Sequence, residues 1–76
     1  MRVQAGQVIR NLRINHQLSQ QQVADKLNIS RQTYVRFELN VVEPTLSHFA
    51  LLASLYSFDF LDIIRLISDR NFQNSH

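Results

Sequence analysis

The chain contains a single glycine and a single proline among its 76 residues, and this scarcity constrains its fold more than any other feature. Tight β-hairpin turns depend on residues that adopt positive φ, glycine above all. Strict alternation of apolar and polar residues, the mark of a half-buried strand, is also hard to find. Apolar residues spaced three and four apart recur instead, which is the spacing of helices. We therefore expect an all-α protein.

The first two helices are indicated by apolar stripes. One stripe predicts a first helix over about residues 3–16, and it consists of Ala5, Ile9 and Leu12. Ser19 is followed three residues later by Gln22, a capping-box pattern that favours a helix N-terminus. The apolar stripe of the second helix consists of Val23, Ala24 and Leu27.

Residues that favour helix N-termini mark three further helices. They are Ser30 for the third, Thr45 for the fourth, and Asp59 with Asp62 for the fifth. The third helix is expected to end near Leu39 and Asn40, because asparagine tolerates a left-handed cap conformation. The fifth, over about residues 59–71, ends near Asn71. The sequence predicts one compact five-helix domain over residues 1–76.

The third helix divides into two faces on a helical wheel. Tyr34 and Phe37 share the inner face with Glu38, and we interpret the two aromatic residues as core anchors. The outer face carries Gln32, Val35, Arg36 and Leu39, with Arg31 near the N-terminal end. Composition alone favours a solvated surface for this outer face, and a surface that binds a ligand is the alternative.

The second and third helices together favour that alternative. A short helix, a three-residue turn and a second short helix, here over about residues 20–39, have helix-turn-helix geometry. In that geometry the second helix enters the DNA major groove, and its N-terminal residues contact base edges.

The order of these motifs resembles the Cro/repressor-type (XRE-like) helix-turn-helix domains from Ala5 to about Ile63. The matching segments are Ala5-Gly6 with Ile9-Arg10 and Leu12-Arg13, Leu18-Ser19-Gln20 with Val23-Ala24 and Leu27, Ile29 to Thr33 with Arg36-Phe37-Glu38, and Pro44-Thr45-Leu46 with Leu52-Ala53. The resemblance implies a lambda-repressor-like fold and binding to double-stranded DNA.

Four outward residues are candidates for base contacts: Arg31, Gln32, Val35 and Arg36. The amide of Gln32 can bond adenine bidentately, and Arg36 can reach guanine O6 and N7 or a phosphate. Val35 can meet a thymine methyl group. For Arg31 the resemblance favours a contact with a base or with the DNA backbone.

Other polar residues are candidates for contacts that set register or hold the fold. Gln20 opens the second helix, whose N-terminus favours a phosphate, and its counterpart in the family clamps the DNA backbone. Thr33 and Asn40 are further candidate phosphate donors. The resemblance also implies an ion pair between Arg13 and Glu38 that joins the first helix to the third.

The chain departs from the family pattern at several positions. The family usually has glycine where Gln17 and Asn40 stand, and glycine or another small residue at Asn28. Turn conformations can accommodate these residues, so we expect the fold to be retained. Val35 is often polar in relatives, which leaves the base preference open.

The fifth helix carries more apolar residues than one small core needs. We expect a homodimer seam there, formed by Leu61, Ile64, Leu66 and Phe72. A two-fold dimer places two recognition helices about one DNA turn apart, which predicts an inverted-repeat operator. A helix fully satisfied by the core is the alternative.

Charge and composition agree with this interpretation without demanding it. Six basic against three acidic residues give residues 1–57 a net charge of +3, whereas two against three give residues 58–76 a net charge of −1. The chain has no cysteine, so thiolate metal sites are excluded. The N-terminus turns polar too soon for a signal peptide, and charges interrupt the most apolar run, Phe49 to Ile67.

We find no nucleophile, no catalytic carboxylate pair, no metal-ligand set and no glycine-rich phosphate loop in the sequence. The prediction is a cytoplasmic, sequence-specific transcriptional regulator without enzymatic activity, cofactor, small-molecule ligand or membrane association. It is expected to act as a homodimeric repressor, with residues 31–39 in the major groove. A phage repressor, a restriction-modification controller and an antitoxin all fit. The alternative class is a protein–protein adaptor with the same fold.

Overall fold

The computed structural model describes residues 4–74 of the chain, except the side chains of Phe60 and of residues 69–74. Five helices and no strand occur within this part: α1 (Gly6–Asn15), α2 (Gln20–Leu27), α3 (Arg31–Glu38), α4 (Leu46–Leu55) and α5 (Phe60–Asn74). The expected all-α, five-helix architecture is confirmed. No helix of the described residues is long and apolar enough to cross a membrane.

Helix starts follow the capping chemistry of the sequence. At α2, Gln22 N–H donates to Ser19 Oγ at 3.0 Å and Ser19 N–H donates to Gln22 Oε1 at 2.8 Å, a complete capping box. At α4, Thr45 caps the helix, and His48 Nδ1 accepts from the backbone N–H of Thr45 at 3.0 Å. His48 thus completes a capping box, with imidazole in place of the usual glutamate or glutamine side chain.

The bounds of three helices differ from those predicted. α1 begins at Gly6 and not near residue 3, and α3 ends at Glu38, one residue early. α5 continues to Asn74, beyond the expected end at Asn71. Neither glycine nor proline occurs in the last residues of α5, so no strong local signal ends the helix there.

The core lies between the inner faces of the five helices. The stripes predicted for α1 and α2 are buried, as are Tyr34 (0% exposed) and Phe37 (1% exposed) of α3. The complete set of buried apolar residues is Ala5, Ile9, Leu12, Val23, Ala24, Leu27, Tyr34, Phe37, Phe49, Leu52, Ala53, Tyr56, Ile63 and Ile67. α3 packs against α1 and α2, and α4 packs against α2 and α5, so α3 is held on its inner side by two helices.

Gly6 allows α1 to approach the end of α3 closely. A Cβ atom at this position would overlap the carbonyl oxygen of Glu38 and lie 2.9 Å from that of Phe37. Next to this contact, Gly6 N–H donates to Asn40 Oδ1 at 2.9 Å. The first N–H group of α1 is therefore capped by a side chain from the end of α3, since Ala5 itself has no capping side chain.

Candidate nucleic-acid interface

The α2–α3 pair has the short, rigid connection of a helix-turn-helix. Asn28 ends α2 in the left-handed conformation, with φ of 61° and ψ of 40°. Ser30 then starts α3, and its Oγ accepts from Thr33 N–H at 3.1 Å. Only three residues separate the two helices, so their relative orientation is fixed by these two caps.

The outer face of α3 is accessible, as its sequence pattern predicts. Arg31, Gln32 and Arg36 are exposed, and Val35 is half-buried. Leu39, next on the same face, is 65% exposed. Arginine and glutamine side chains can hydrogen-bond base edges, and an apolar neighbour can contact a thymine methyl group. The arrangement can therefore bind a major groove.

The inner face of α3 is fixed by an ion pair as well as by apolar packing. Arg13 Nε donates to Glu38 Oε2 at 2.6 Å and Nη2 donates to Glu38 Oε1 at 3.3 Å. The two side chains are 14% and 3% exposed. Arg13 and Glu38 thus form the link between α1 and α3 that the resemblance implies. Arg13 also donates to the carbonyl oxygen of Leu18 at 3.1 Å.

The ion pair changes the proton affinities of both partners. Burial by itself raises the pKa of Glu38, but hydrogen bonds from Arg13 and Gln20 and the charge of Arg13 oppose burial, and the pKa is lowered from 4.5. The hydrogen bond to Glu38 raises the pKa of Arg13. Both groups are therefore ionised at neutral pH.

Gln20 does not point freely toward solvent. Its Nε2 donates to Glu38 Oε1 at 3.3 Å, and its Oε1 accepts from Arg31 Nη2 at 3.2 Å. Both ends of the amide are engaged within the protein. Sequence reasoning missed this arrangement. Arg31 and Glu38 lie eleven and eighteen positions after Gln20, whereas helical spacing relates residues only three or four positions apart.

The other two candidate phosphate donors also have intramolecular partners. Ser30 Oγ donates to Thr33 Oγ1 at 2.9 Å, and Asn40 Oδ1 accepts from Gly6 N–H. Each retains a further donor, the hydroxyl hydrogen of Thr33 and the NH₂ group of Asn40. The role of Asn40 at the start of α1 was not anticipated.

Two tyrosine hydroxyl groups lie buried beside the ion pair. Neither Tyr34 nor Tyr56 has a hydroxyl in hydrogen-bond geometry with a described residue, although both are close enough to Glu38 to be affected by its charge. Burial raises the pKa of Tyr56 to about 12 and raises that of Tyr34 further. Both phenols therefore remain protonated at neutral pH.

The residues proposed for a dimer seam differ in exposure. Leu61 is 65% and Leu66 is 42% exposed, whereas Ile64 is half-buried. Ile63 and Ile67 of the same helix are buried in the core. The side chain of Phe72 lies outside the described residues. α5 thus covers the core with Ile63 and Ile67 and presents other apolar residues, Leu61 and Leu66, to solvent.

A second group of exposed apolar residues lies at the end of α3 and after it, and sequence reasoning placed only Leu39 of this group on the surface. It consists of Leu39, Val41, Val42 and Leu46.

Among the described residues, no three histidine or acidic side chains come together as a metal site. His16 instead packs on Tyr56, with ring centroids 4.7 Å apart.

Comparison with known proteins agrees with this geometry. A family model described as helix-turn-helix matches residues 9–63, which is 55 of the 76 residues. The match includes both helices of the α2–α3 pair and the packing helix α4. No curated protein and no solved structure matches the chain.

Proposed function

The chain belongs to the XRE-type helix-turn-helix family of DNA-binding transcription regulators, and on that premise we propose that it is a sequence-specific repressor. It binds double-stranded DNA with α3 in the major groove. The observation that carries the proposal is the division of α3 into a buried and an accessible face. Tyr34, Phe37 and Glu38 fix the helix, which leaves its outer residues available for base edges.

Base contacts are assigned to Arg31, Gln32, Val35 and Arg36. The three polar side chains are exposed and Val35 is half-buried between them. This combination supports hydrogen bonds to purines and one apolar contact. Support for phosphate contacts from Gln20, Thr33 and Asn40 is weaker, because each side chain already bonds within the protein.

The proposed active form is a homodimer joined through α5, acting in the cytoplasm on an inverted-repeat operator. Leu61 and Leu66 support this part, because exposed leucines on a helix favour burial against a partner. A two-fold axis at α5 would place two copies of α3 on successive major-groove faces, roughly 34 Å apart.

The test is selection of bound duplexes from a random-sequence DNA library, followed by a salt titration on the selected duplex. We expect a defined half-site in two copies and an affinity that falls steeply with salt, since phosphate binding releases counterions. No enrichment of any sequence would contradict the proposal. A flat salt dependence would instead favour a protein–protein adaptor that uses the same face of α3.

One substitution sharpens the test of base contact. Gln32→Ala should weaken binding to the selected duplex by about 1–3 kcal/mol and relax the preference at one base pair. Gln21→Ala is the matched control, because Gln21 is an exposed glutamine whose amide bonds Asp25 at 2.8 Å. Equal loss on all duplexes would mean that Gln32 contacts only the DNA backbone.

A further inference from the structure

The side chain of Asn40 joins two helices that are far apart in the sequence. Its Oδ1 accepts from the backbone N–H of Gly6, the first residue of α1, at 2.9 Å. Asn40 itself follows α3, and it is half-buried where α1 approaches the end of that helix. One end of the amide is therefore engaged within the fold, and the other end, the NH₂ group, is a second group that can form hydrogen bonds.

Chemistry fixes which end of the amide faces Gly6. A backbone N–H only donates hydrogen bonds, so it must face the oxygen of the amide and not the NH₂ group. The assignment therefore does not depend on telling nitrogen from oxygen. Because Nδ2 and Oδ1 diverge from the same carbon atom, the NH₂ group faces away from the N–H of Gly6 and keeps its hydrogen atoms to donate.

The backbone of Asn40 is fixed as well. Its φ is 60°, and its N–H donates to the carbonyl oxygen of Phe37 at 3.2 Å. The next N–H, that of Val41, donates to the carbonyl oxygen of Arg36 at 3.0 Å. The backbone of Asn40 is thus bonded to α3 and its side chain to α1. A donor held in this way needs less ordering when a ligand binds.

The location of Asn40 favours contact with the DNA backbone over contact with a base. When a recognition helix lies in the major groove, its N-terminal residues reach the base edges. Asn40 lies roughly 14 Å beyond Arg31, at the helical rise of about 1.5 Å a residue, whereas the groove is about 12 Å wide. A side chain at this end of α3 is therefore expected at the edge of the groove, where the phosphates run. Amide groups are among the side chains that donate to phosphate oxygens.

We propose that Asn40 connects α1 to the DNA backbone: Oδ1 caps the helix while Nδ2 donates to a phosphate. The inference rests on the proposed function, since it requires α3 in the major groove. A phosphate bound to Nδ2 favours the amide orientation that caps Gly6, so the cap favours phosphate binding by the same factor. DNA binding therefore stabilises the start of α1, a helix that has no capping side chain at Ala5.

Two substitutions test the donor, and each controls for the side effect of the other. Asn40→Gly suits the left-handed backbone and adds no charge, but it removes both the cap and the donor. Asn40→Asp keeps an oxygen for the N–H of Gly6 but has no NH₂ group. On the duplex that the wild-type protein selects, Asn40→Gly should bind about tenfold more weakly, the loss expected of one hydrogen bond to a charged acceptor. Asn40→Asp should lose at least as much, because its charge also repels phosphate.

The loss should not depend on the DNA sequence, because a phosphate contact carries no sequence information. Duplexes with one base-pair change should therefore lose the same factor, which leaves every base preference as in the wild type. The salt dependence of Asn40→Gly should also match that of the wild type, because no charge is removed. Gln21→Ala, the control, should keep wild-type affinity, and thermal unfolding of each variant checks that the fold is intact.

Amide hydrogen exchange at Gly6 tests the coupling to α1. The chain has one glycine, so its amide signal is readily identified by NMR. Binding of the selected duplex should slow exchange at Gly6 in the wild-type protein. In Asn40→Asp, which keeps the acceptor but not the donor, the duplex should leave this exchange rate unchanged. Equal slowing in both proteins would overturn the coupling through Asn40.

Three results would overturn the phosphate contact. One is an Asn40→Gly variant that binds as tightly as the wild type, because any loss in Asn40→Asp would then come from charge alone. Another is a loss in Asn40→Gly with none in Asn40→Asp, which would assign the effect to the cap of α1. A third is a loss confined to one base pair, as expected of a base contact. Failure of the proposed function is distinct, since the wild-type protein would then select no sequence at all.

Discussion

Gly6 shows how one residue can decide whether two helices meet. The start of α1 lies against the backbone at the end of α3, where Glu38 and Asn40 are located. A side chain at Gly6 would push directly on a main-chain carbonyl group, which cannot rotate away as a flexible side chain can. The only glycine in the chain is thus used for close approach and not for a turn.

We expect Gly6→Ala to destabilise the fold by about 1–3 kcal/mol, the usual cost of overpacking. Alanine favours a helix by up to about 1 kcal/mol over glycine, but the overlap with the carbonyl oxygen of Glu38 outweighs that gain. Urea unfolding followed by circular dichroism measures the difference. Arg10→Ala, at an exposed position of the same helix, is the control and should stay within about 0.5 kcal/mol of wild type. An equally stable Gly6→Ala variant would contradict the close contact.

Glu38 should make the stability of the protein sensitive to acid. Because its pKa is lowered in the folded state from 4.5, its contribution is complete above that value and is lost as the pH falls through the folded-state pKa. Glu38→Gln should unfold more easily at pH 7, by about 3 kcal/mol, since Arg13 loses its charge partner. It should also lose less stability than wild type on acidification.

Urea midpoints at pH 7, 5, 4 and 3 (values chosen to span the titration of a carboxylate, about 3–5) would measure this effect. Parallel pH dependences for wild type and Glu38→Gln would show that the carboxylate is not responsible for the acid sensitivity.

At the scale of single residues, the sequence predicts which side chains are buried wherever helical periodicity determines burial. Tyr34 and Phe37 are buried as their helical spacing indicates. The roles of Gln20 and Asn40 could not be predicted in the same way. Asn40 bonds Gly6 across 34 positions, and the side chain of Gln20 in α2 bonds Glu38 and Arg31 in α3. Such contacts depend on how the helices pack, which no local pattern records.

At the scale of helices, the ends of α1 to α4 share one conformation. Each is followed by a residue with positive φ that is not glycine: Gln17 (57°), Asn28 (61°), Asn40 (60°) and Ser57 (59°). The same pair of backbone hydrogen bonds closes each end, for example Gln17 N–H to Ile14 O and Leu18 N–H to Arg13 O. These are the bonds of the Schellman motif, in which glycine is the usual left-handed residue.

We expect Gln17→Gly to stabilise the protein by about 0.5–1 kcal/mol. The left-handed conformation costs a residue with a Cβ atom roughly 1–2 kcal/mol, whereas glycine's added freedom in the unfolded chain costs about 0.4–1 kcal/mol. Asn28→Gly is the matched comparison and should gain less, because asparagine tolerates this conformation. Denaturant midpoints of the two variants test the ranking. A larger gain at Asn28 would contradict it.

Helix starts were predictable and some helix bounds were not, for a physical reason. The caps at Ser19, Ser30 and Thr45 each accept from the N–H group three residues later, so the sequence pattern contains the whole interaction. α1 has no such local signal at Ala5. Its start depends on Asn40, which is close only in the folded protein.

At the scale of the whole molecule, the outer face of α3 and the exposed apolar residues of α5 belong to different helices of one small domain, 34 × 25 × 22 Å in extent. α3 rests on α1 and α2, and α5 rests on α4. The proposed dimer contact therefore does not compete with the proposed DNA contact for the same residues.

Leu61→Glu should convert the proposed dimer to monomers and weaken binding to the selected duplex, because a charge would replace an exposed apolar side chain of the seam. Glutamate in the first turn of α5 is favourable for the helix itself, so folding should be retained. Leu46→Glu is the matched control, since Leu46 is 72% exposed in the first turn of α4 and lies outside the proposed seam.

Analytical ultracentrifugation should give a monomer for Leu61→Glu and a dimer for Leu46→Glu. A dimeric Leu61→Glu protein would place the seam elsewhere.

The exposed apolar residues of α5 were predictable, because the helix has more apolar residues than its inner face can bury. The similar exposure of Val41 and Val42 was not, since a loop has no periodicity from which to infer its faces.

The division of α3 into a buried and an exposed face also affects how such a protein can acquire new DNA specificities. Its attachment depends on Tyr34, Phe37 and Glu38, whereas Gln32, Val35 and Arg36 make no contribution to the buried core. Substitutions at these outer positions can therefore accumulate with little effect on folding. A lineage of such proteins could change the genes it controls through a few codons, and a laboratory library randomised at the same positions would sample new specificities on an unchanged scaffold.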